Sequence, residues 1–337
     1  MSRQFSVLGG RVVLSVMFLL SGPFVLMGRA QNDLIDESGI SAGLPCLNTS
    51  DAYCVACTSD CPVDAGRGHY SYSVAPVDDV KLLLGMGDSI TVGRSSDPNY
   101  FRQLNRYMKD LYPDSNFYAY NAAVGGSTMK DVVAGGQLGL VKRLIELSRK
   151  PTIVVMTAGG NDLRNALEKI VIRRKLGIGD AVKEQQIIDN QIAETVENLR
   201  TIVTTLQGIS VPVSFYIAVV HDPTDGVGSA EVGCGEFNSF KDSCLVPCAL
   251  AKLRAEYMNL AAELHFGVVD ALGSFHGHGA YFCDASGPYY DAQNPSLYLT
   301  TDCLHPNQKG HDNLFQLFVE TIYPSRFWIG PVPLPQN

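Results

Sequence analysis

The chain has 337 residues, 46% of them apolar, and a formal charge of -8. That length suits one large α/β domain with appendages, or two small domains, and leaves enough apolar side chains for a sizeable core. No basic cluster is dense enough to cover phosphates, which argues against nucleic acid as a partner.

Arg3 and Arg11 give the chain a positive start, and Val12 to Met27 is an apolar run interrupted at Gly22-Pro23. Gly28-Arg29-Ala30 places small residues at the -3 and -1 positions of a cut after Ala30, the pattern of a signal peptide over residues 1–30. The alternative is an uncleaved anchor, but a spanning helix wants ~20 apolar residues and this run is shorter and broken by proline. The expectation is an exported protein, secreted or periplasmic, with no stable membrane span after cleavage.

Residues 31–78 read as a cysteine-rich extension, with Cys46, Cys54, Cys57 and Cys61 among Ser, Asp, Gly and Pro. Cys54-Val55-Ala56-Cys57 has the spacing of a zinc knuckle, yet no second such pair follows, so local disulfides are the better reading in an exported chain. Asn48-Thr49-Ser50 is a glycosylation sequon if the source is eukaryotic. The chain holds nine cysteines, an odd number, so at least one is free or pairs between chains.

From residue 79 to about 325 strands and helices alternate. Val80 to Leu84, Phe117 to Tyr120, Thr152 to Met156, Val211 to Val220 and Gly267 to Val269 read as strands. Helical spacing covers 99–111, 138–147, a long stretch broken near Gly177 to Asp180 that resumes over 181–206, then 248–264 and 308–322. Apolar strands separated by helices predict a three-layer α/β/α domain around a parallel five-stranded sheet, with sites at the carboxyl ends of the strands. Residues 326–337 form a C-terminal tail.

Four short motifs fall at that rim. Gly87-Asp88-Ser89 follows the first strand, where a serine on a strand-to-helix turn can expose its hydroxyl. Asn121 to Ser127 follows the second and contains Gly125-Gly126, whose backbone N–H groups can point into a site unobstructed. Gly159-Gly160-Asn161-Asp162 follows the third and offers a side-chain amide to a developing oxyanion. Asp302-Cys303-Leu304-His305 precedes the last helix and puts a carboxylate within reach of an imidazole. Taken singly, each motif is adequately explained by helix capping or an ordinary turn. All four at one rim, in one order, are not.

In these four blocks the chain resembles the SGNH (GDSL-type) hydrolase family. The resemblance spans roughly residues 79 to 325 and implies a flavodoxin-like fold and ester hydrolysis. It implies that Ser89 is the nucleophile, that Asp302 and His305 complete the triad, and that the oxyanion hole is built from Ser89, Gly126 and Asn161, with Gly125 as the alternative glycine. The chemistry it implies needs no metal and no organic cofactor. The expected substrates are small-molecule, lipid or carbohydrate esters. A carbohydrate O-acetyl esterase on the same fold is one alternative, and a binding protein on an inactive scaffold is another. His221 closes the fourth strand and could line the site, whereas His276-Gly277-His278 is weak as a metal motif. Cys283 and Cys303 share one connection and are expected to pair, the alternatives being free thiols or pairing with the Cys234, Cys244 and Cys248 group.

Overall fold

In the computed structural model the described residues are 70–93, 96–113, 116–228, 245–287 and 289–326. The expected signal peptide, most of the extension with its four cysteines and sequon, Cys234 and Cys244, and the end of the tail lie outside them.

Five parallel strands form one sheet in the order β2-β1-β3-β4-β5. They are β1 (Leu82–Gly87), β2 (Tyr118–Asn121), β3 (Thr152–Thr157), β4 (Val213–Ala218) and β5 (Gly267–Val269). Strict alternation along the strands sends side chains to two cores. Leu82, Leu84, Met86, Val154, Met156, Phe215, Ile217 and Val268 face one side. Leu83, Ile153, Val155, Tyr216, Ala218 and Val269 face the other.

The first core is covered by α3 (Met129–Ala134), α4 (Gln137–Ser148), α5 (Gly160–Lys175), α6 (Ala181–Gln207) and α7 (Leu245–Leu264). The second is covered by α2 (Tyr100–Leu111), α8 (Ala271–Phe275) and α9 (Gln308–Ile322). A four-residue helix, α1 (Ser89–Val92), sits at the end of β1. The ends of these helices follow from local chemistry. Asn99, Asp180 and Asn307 each accept a backbone N–H from the first turn of α2, α6 and α9.

Several elements differ from expectation, among them the five-residue α8, which was not foreseen. Strand β1 runs on through Gly85 to Gly87, because β2 pairs with it as far as Gly85 and β3 as far as Gly87. Gly85 is required there by a close approach: a Cβ would lie 2.8 Å from the Phe101 ring. Helix α3 was not expected; it is six residues long, too short for a periodic signal, and is held by reciprocal capping between Thr128 and Asp131.

Described residues before β1 already lie against the sheet. Tyr72 bridges Val268 on the edge strand β5, and the Val77 N–H donates to Ser214 on β4. An edge strand with open N–H and C=O groups invites foreign pairing, and this segment covers part of it.

Candidate active site

The strand order reverses between β1 and β3, since β2 and β3 lie on opposite sides of β1. That switch point opens a crevice at the carboxyl ends of the strands. Ser89 follows β1 directly and Asn161 follows β3, so both motifs open onto it.

Gly87 makes the turn possible. Its φ is +116°, and a Cβ there would sit 2.1 Å from the Thr157 carbonyl oxygen. Asp88 then caps α1, its Oδ1 accepting from the Ile90 N–H at 3.0 Å and from Thr157 Oγ1 at 2.6 Å. Burial pushes the Asp88 carboxyl up to about 6, against the opposing pull of those hydrogen bonds and of His305. Ser89 is the first residue of α1, so its N–H is among those a helix leaves without an internal partner.

His305 Nε2 lies 2.8 Å from Ser89 Oγ, and His305 Nδ1 lies 2.6 Å from Asp302 Oδ2. The carboxylate is fixed in turn, with Oδ1 accepting from Thr300 Oγ1 at 2.6 Å and from the N–H groups of Leu304 and His305 at 2.9 and 3.0 Å. Burial alone would raise the Asp302 pKa, but these hydrogen bonds outweigh it and hold the carboxyl well below the usual carboxylate range. Between the two residues Cys303 is buried with φ at +57°, a left-handed conformation that tightens the turn.

Gly126 and Asn161 line the same cleft as Ser89 and His305. One N–H of the Asn161 amide donates to the Ser127 carbonyl at 3.0 Å, which orients the group and leaves its second N–H for a ligand. Asp162, the next residue, accepts from the Met129 N–H at 2.9 Å and thereby joins this turn to the loop that carries Gly126. Burial lifts the Asp162 carboxyl to about 6. Of the two adjacent glycines, Gly126 borders the cleft, while a Cβ on Gly125 would stand 3.8 Å from Ser89 Cβ.

The cleft has a volume of about 430 Å³. Beyond Ser89 its walls are mostly apolar, formed by Leu163, Leu167 and Val171 of α5, Val246 and Leu250 of α7, and Leu304, with Arg164, Glu168 and Lys175 of α5 also on the lining. A matching sequence profile identifies the lineage of this arrangement: the GDSL-like Lipase/Acylhydrolase family matches residues 86–312. The chain belongs to that family. It is an ester-bond hydrolase of the SGNH kind.

Among solved structures, the hydrolase is similar to a lipase from a goat rumen metagenome, at 15% identity and a TM-score of 0.52, over 72% of this chain and 97% of that one. It is also similar to an acetylxylan esterase from Geobacillus stearothermophilus, at 17% identity and a TM-score of 0.44, over 74% and 96% of the two chains. An extracellular lipase from Streptomyces rimosus gives 16% identity and a TM-score of 0.45, over 72% and 100%. At such identities the likeness speaks to the fold alone. No curated protein matches the chain.

Two residues outside the four motifs support the site in the hydrolase: His221, expected to line it, and Gln137, which no motif signals. His221 lines the cleft, stacks on Phe275 with ring centroids 4.8 Å apart, and is hydrogen-bonded to the backbone of Leu304. Burial drops its pKa to about 4, so it buttresses the Asp302–His305 turn as a neutral ring. Gln137, at the start of α4, hydrogen-bonds to Gly87 and Ser127 from a buried position. His276 and His278 lie elsewhere, stacked on Tyr289 and Tyr298. Among the described residues no three His, Cys, Asp or Glu side chains gather as a metal site.

Proposed function

We propose that this chain is an exported carboxylic-ester hydrolase that works through an acyl-enzyme on Ser89. The observation that carries the reading is the continuous hydrogen-bonded line from Ser89 Oγ through the His305 ring to Asp302. A neutral hydroxyl is a poor nucleophile, so His305 Nε2 takes the Ser89 proton as Oγ bonds to the ester carbonyl carbon. Asp302 holds the tautomer that leaves Nε2 free to accept, and stabilises the imidazolium that results. Charge on the tetrahedral oxygen is met by the N–H groups of Ser89 and Gly126 and by the Asn161 amide. His305 then gives its proton to the leaving alkoxide and the alcohol departs. Water, deprotonated by the same ring, breaks the acyl-serine bond and releases the acid.

The apolar walls belong to the acyl side of the ester. About 430 Å³ is more than an acetyl group fills and is within the range of drug-sized ligands. Each buried methylene contributes about 0.8 kcal/mol, so kcat/KM should climb roughly fourfold per carbon along a p-nitrophenyl ester series until the cleft is full. Ser89→Ala should abolish hydrolysis of every member while the protein stays folded. Hydrolysis surviving near the wild-type rate in pure Ser89→Ala would remove the nucleophile.

Export rests on the N-terminal pattern over residues 1–30. Among the described residues no helix is long and apolar enough to cross a membrane. Pairing of Cys283 with Cys303 belongs to the same proposal. Peptide mapping without reduction should recover the two together, and recovery of either with Cys248 would overturn the pairing. Such a bond would tether the turn between Asp302 and His305.

A further inference from the structure

Eleven large apolar side chains stand exposed among the described residues, and four of them fall within the short span 172–182. Ile172 is 58% exposed, Leu176 68%, Ile178 51% and Val182 69%. They crown the hairpin where α5 turns into α6. Scattered exposed apolar residues are ordinary, whereas a clustered set marks an interaction site.

The crown is continuous with the cleft. Arg164, Glu168 and Ile172 recur every fourth residue along α5 and all line the cleft, and Leu176 is the next position on that face. The crown is also stiff. The Ile178 N–H donates to the Arg173 carbonyl at 3.0 Å, and Arg173 Nη2 donates to the Ile178 carbonyl at 3.1 Å. Arg174 clamps Glu184 on α6 with contacts of 3.0 and 2.7 Å. The backbone that carries its apolar groups is therefore already ordered before binding, which lowers the ordering cost.

Charge identifies the occupant. Lys169, Arg173, Arg174, Lys175 and Lys183 surround the crown, with Asp180 as the single carboxylate between Lys169 and Lys183. Two further acids flank that span: Glu184 is taken up by Arg174 and Glu168 pairs with Arg164, so Lys169, Arg173, Lys175 and Lys183 supply the collar's net positive charge. A basic collar around exposed Leu, Ile and Val, in a chain whose formal charge is -8, is the chemistry of an anionic lipid–water boundary.

We propose that the α5–α6 crown docks this hydrolase on an anionic lipid surface, so that an acyl chain passes from the aggregate past Ile172 into the cleft. The proposal rests on the reading of that cleft as the acyl site. It places the apolar crown at the level of the headgroups, with the basic collar against lipid phosphates; the collar is a local exception to the expectation that no basic cluster is dense enough to cover phosphates.

The test uses the chain as processed by a secreting host. Wild type, a Leu176→Asp, Val182→Asp double variant and a milder Leu176→Ser, Val182→Ser variant are sedimented with phosphatidylglycerol vesicles and with pure phosphatidylcholine vesicles. p-Nitrophenyl acetate hydrolysis is measured in parallel. Wild type should favour the anionic vesicles, lose affinity with added salt, and bind them about tenfold or more tightly than either variant, with acetate turnover unchanged. Equal partitioning of wild type and both variants overturns the proposal. So does a wild-type dimer that the substitutions dissociate while vesicle binding is absent, which would assign the crown to a second copy of the chain. Crown-dependent vesicle binding by a protein that hydrolyses no ester would uphold the docking surface and sink the esterase reading.

Discussion

The side-chain amide of Gln137 accepts from the Gly87 N–H at 2.8 Å and donates to the Gly87 carbonyl at 3.1 Å. Its nitrogen also donates to Ser127 Oγ at 2.9 Å. One buried side chain thus joins the strand end before Ser89 to the loop after Gly126.

Gln137→Leu keeps the bulk and leaves the buried Gly87 N–H without an acceptor, at a cost of about 1–3 kcal/mol. Chemical denaturation should report that loss. Turnover should fall further than stability explains, because Ser89 and Gly126 lose their common brace. A Gln137→Leu protein as stable and as fast as wild type would contradict this.

On the proposed mechanism, Asn161→Ala removes an oxyanion donor without touching Ser89. The expected change is a drop of about 10²–10³ in kcat with KM nearly unaltered. A rise in KM at constant kcat would instead make Asn161 a ground-state contact.

Asp302→Asn should cost about 10⁴ in kcat at neutral pH, since an amide at that position can hold the ring in the tautomer that protonates Nε2. The Thr300, Leu304 and His305 hydrogen bonds to Oδ1 can survive the change, so the fold should persist. Circular dichroism beside single-turnover kinetics separates the two effects.

Stability should decline as pH rises from 5 to 8. Burial holds Asp88 and Asp162 up at about 6 and Asp225 at about 7, against ~3.9 in the unfolded chain. Between about pH 4 and 7 the folded state therefore keeps protons that the unfolded state has released, and linkage makes raising the pH destabilising. His221, depressed to about 4, acts in the opposite sense below about 6.5, because the unfolded ring takes a proton the buried one refuses. Three carboxyls outweigh one imidazole. A melting temperature that climbs steadily from pH 5 to 8 would refute this balance.

The sheet was readable because the strands are short, mainly apolar runs separated by helical spacing, and α9 was expected at 308–322, where it lies. The four motifs were readable for a related reason: groups hung on strand ends are short, local and ordered along the chain. Gln137 was not, because a glutamine at a helix start carries no local sign that it faces Gly87 across 50 residues. The cleft was hidden too. Leu163, Leu167 and Val171 read as any buried helix stripe, and only the placement of α7 opposite them leaves space between. His221 had a position but no partner until Phe275 and Leu304 came beside it.

Helix α5 begins at the proposed reacting centre and runs along the cleft wall, which makes it a ruler. With Asn161 as the zero mark and a rise of 1.5 Å per residue, Leu163, Leu167 and Val171 stand at depths of about 3, 9 and 15 Å. A tryptophan placed at 167 should bar all but short acyl chains, and one at 171 should admit intermediate ones. The graduation is written into a single helix, so the length of acid released can be reset one turn at a time while Ser89, His305 and Asp302 stay where they are.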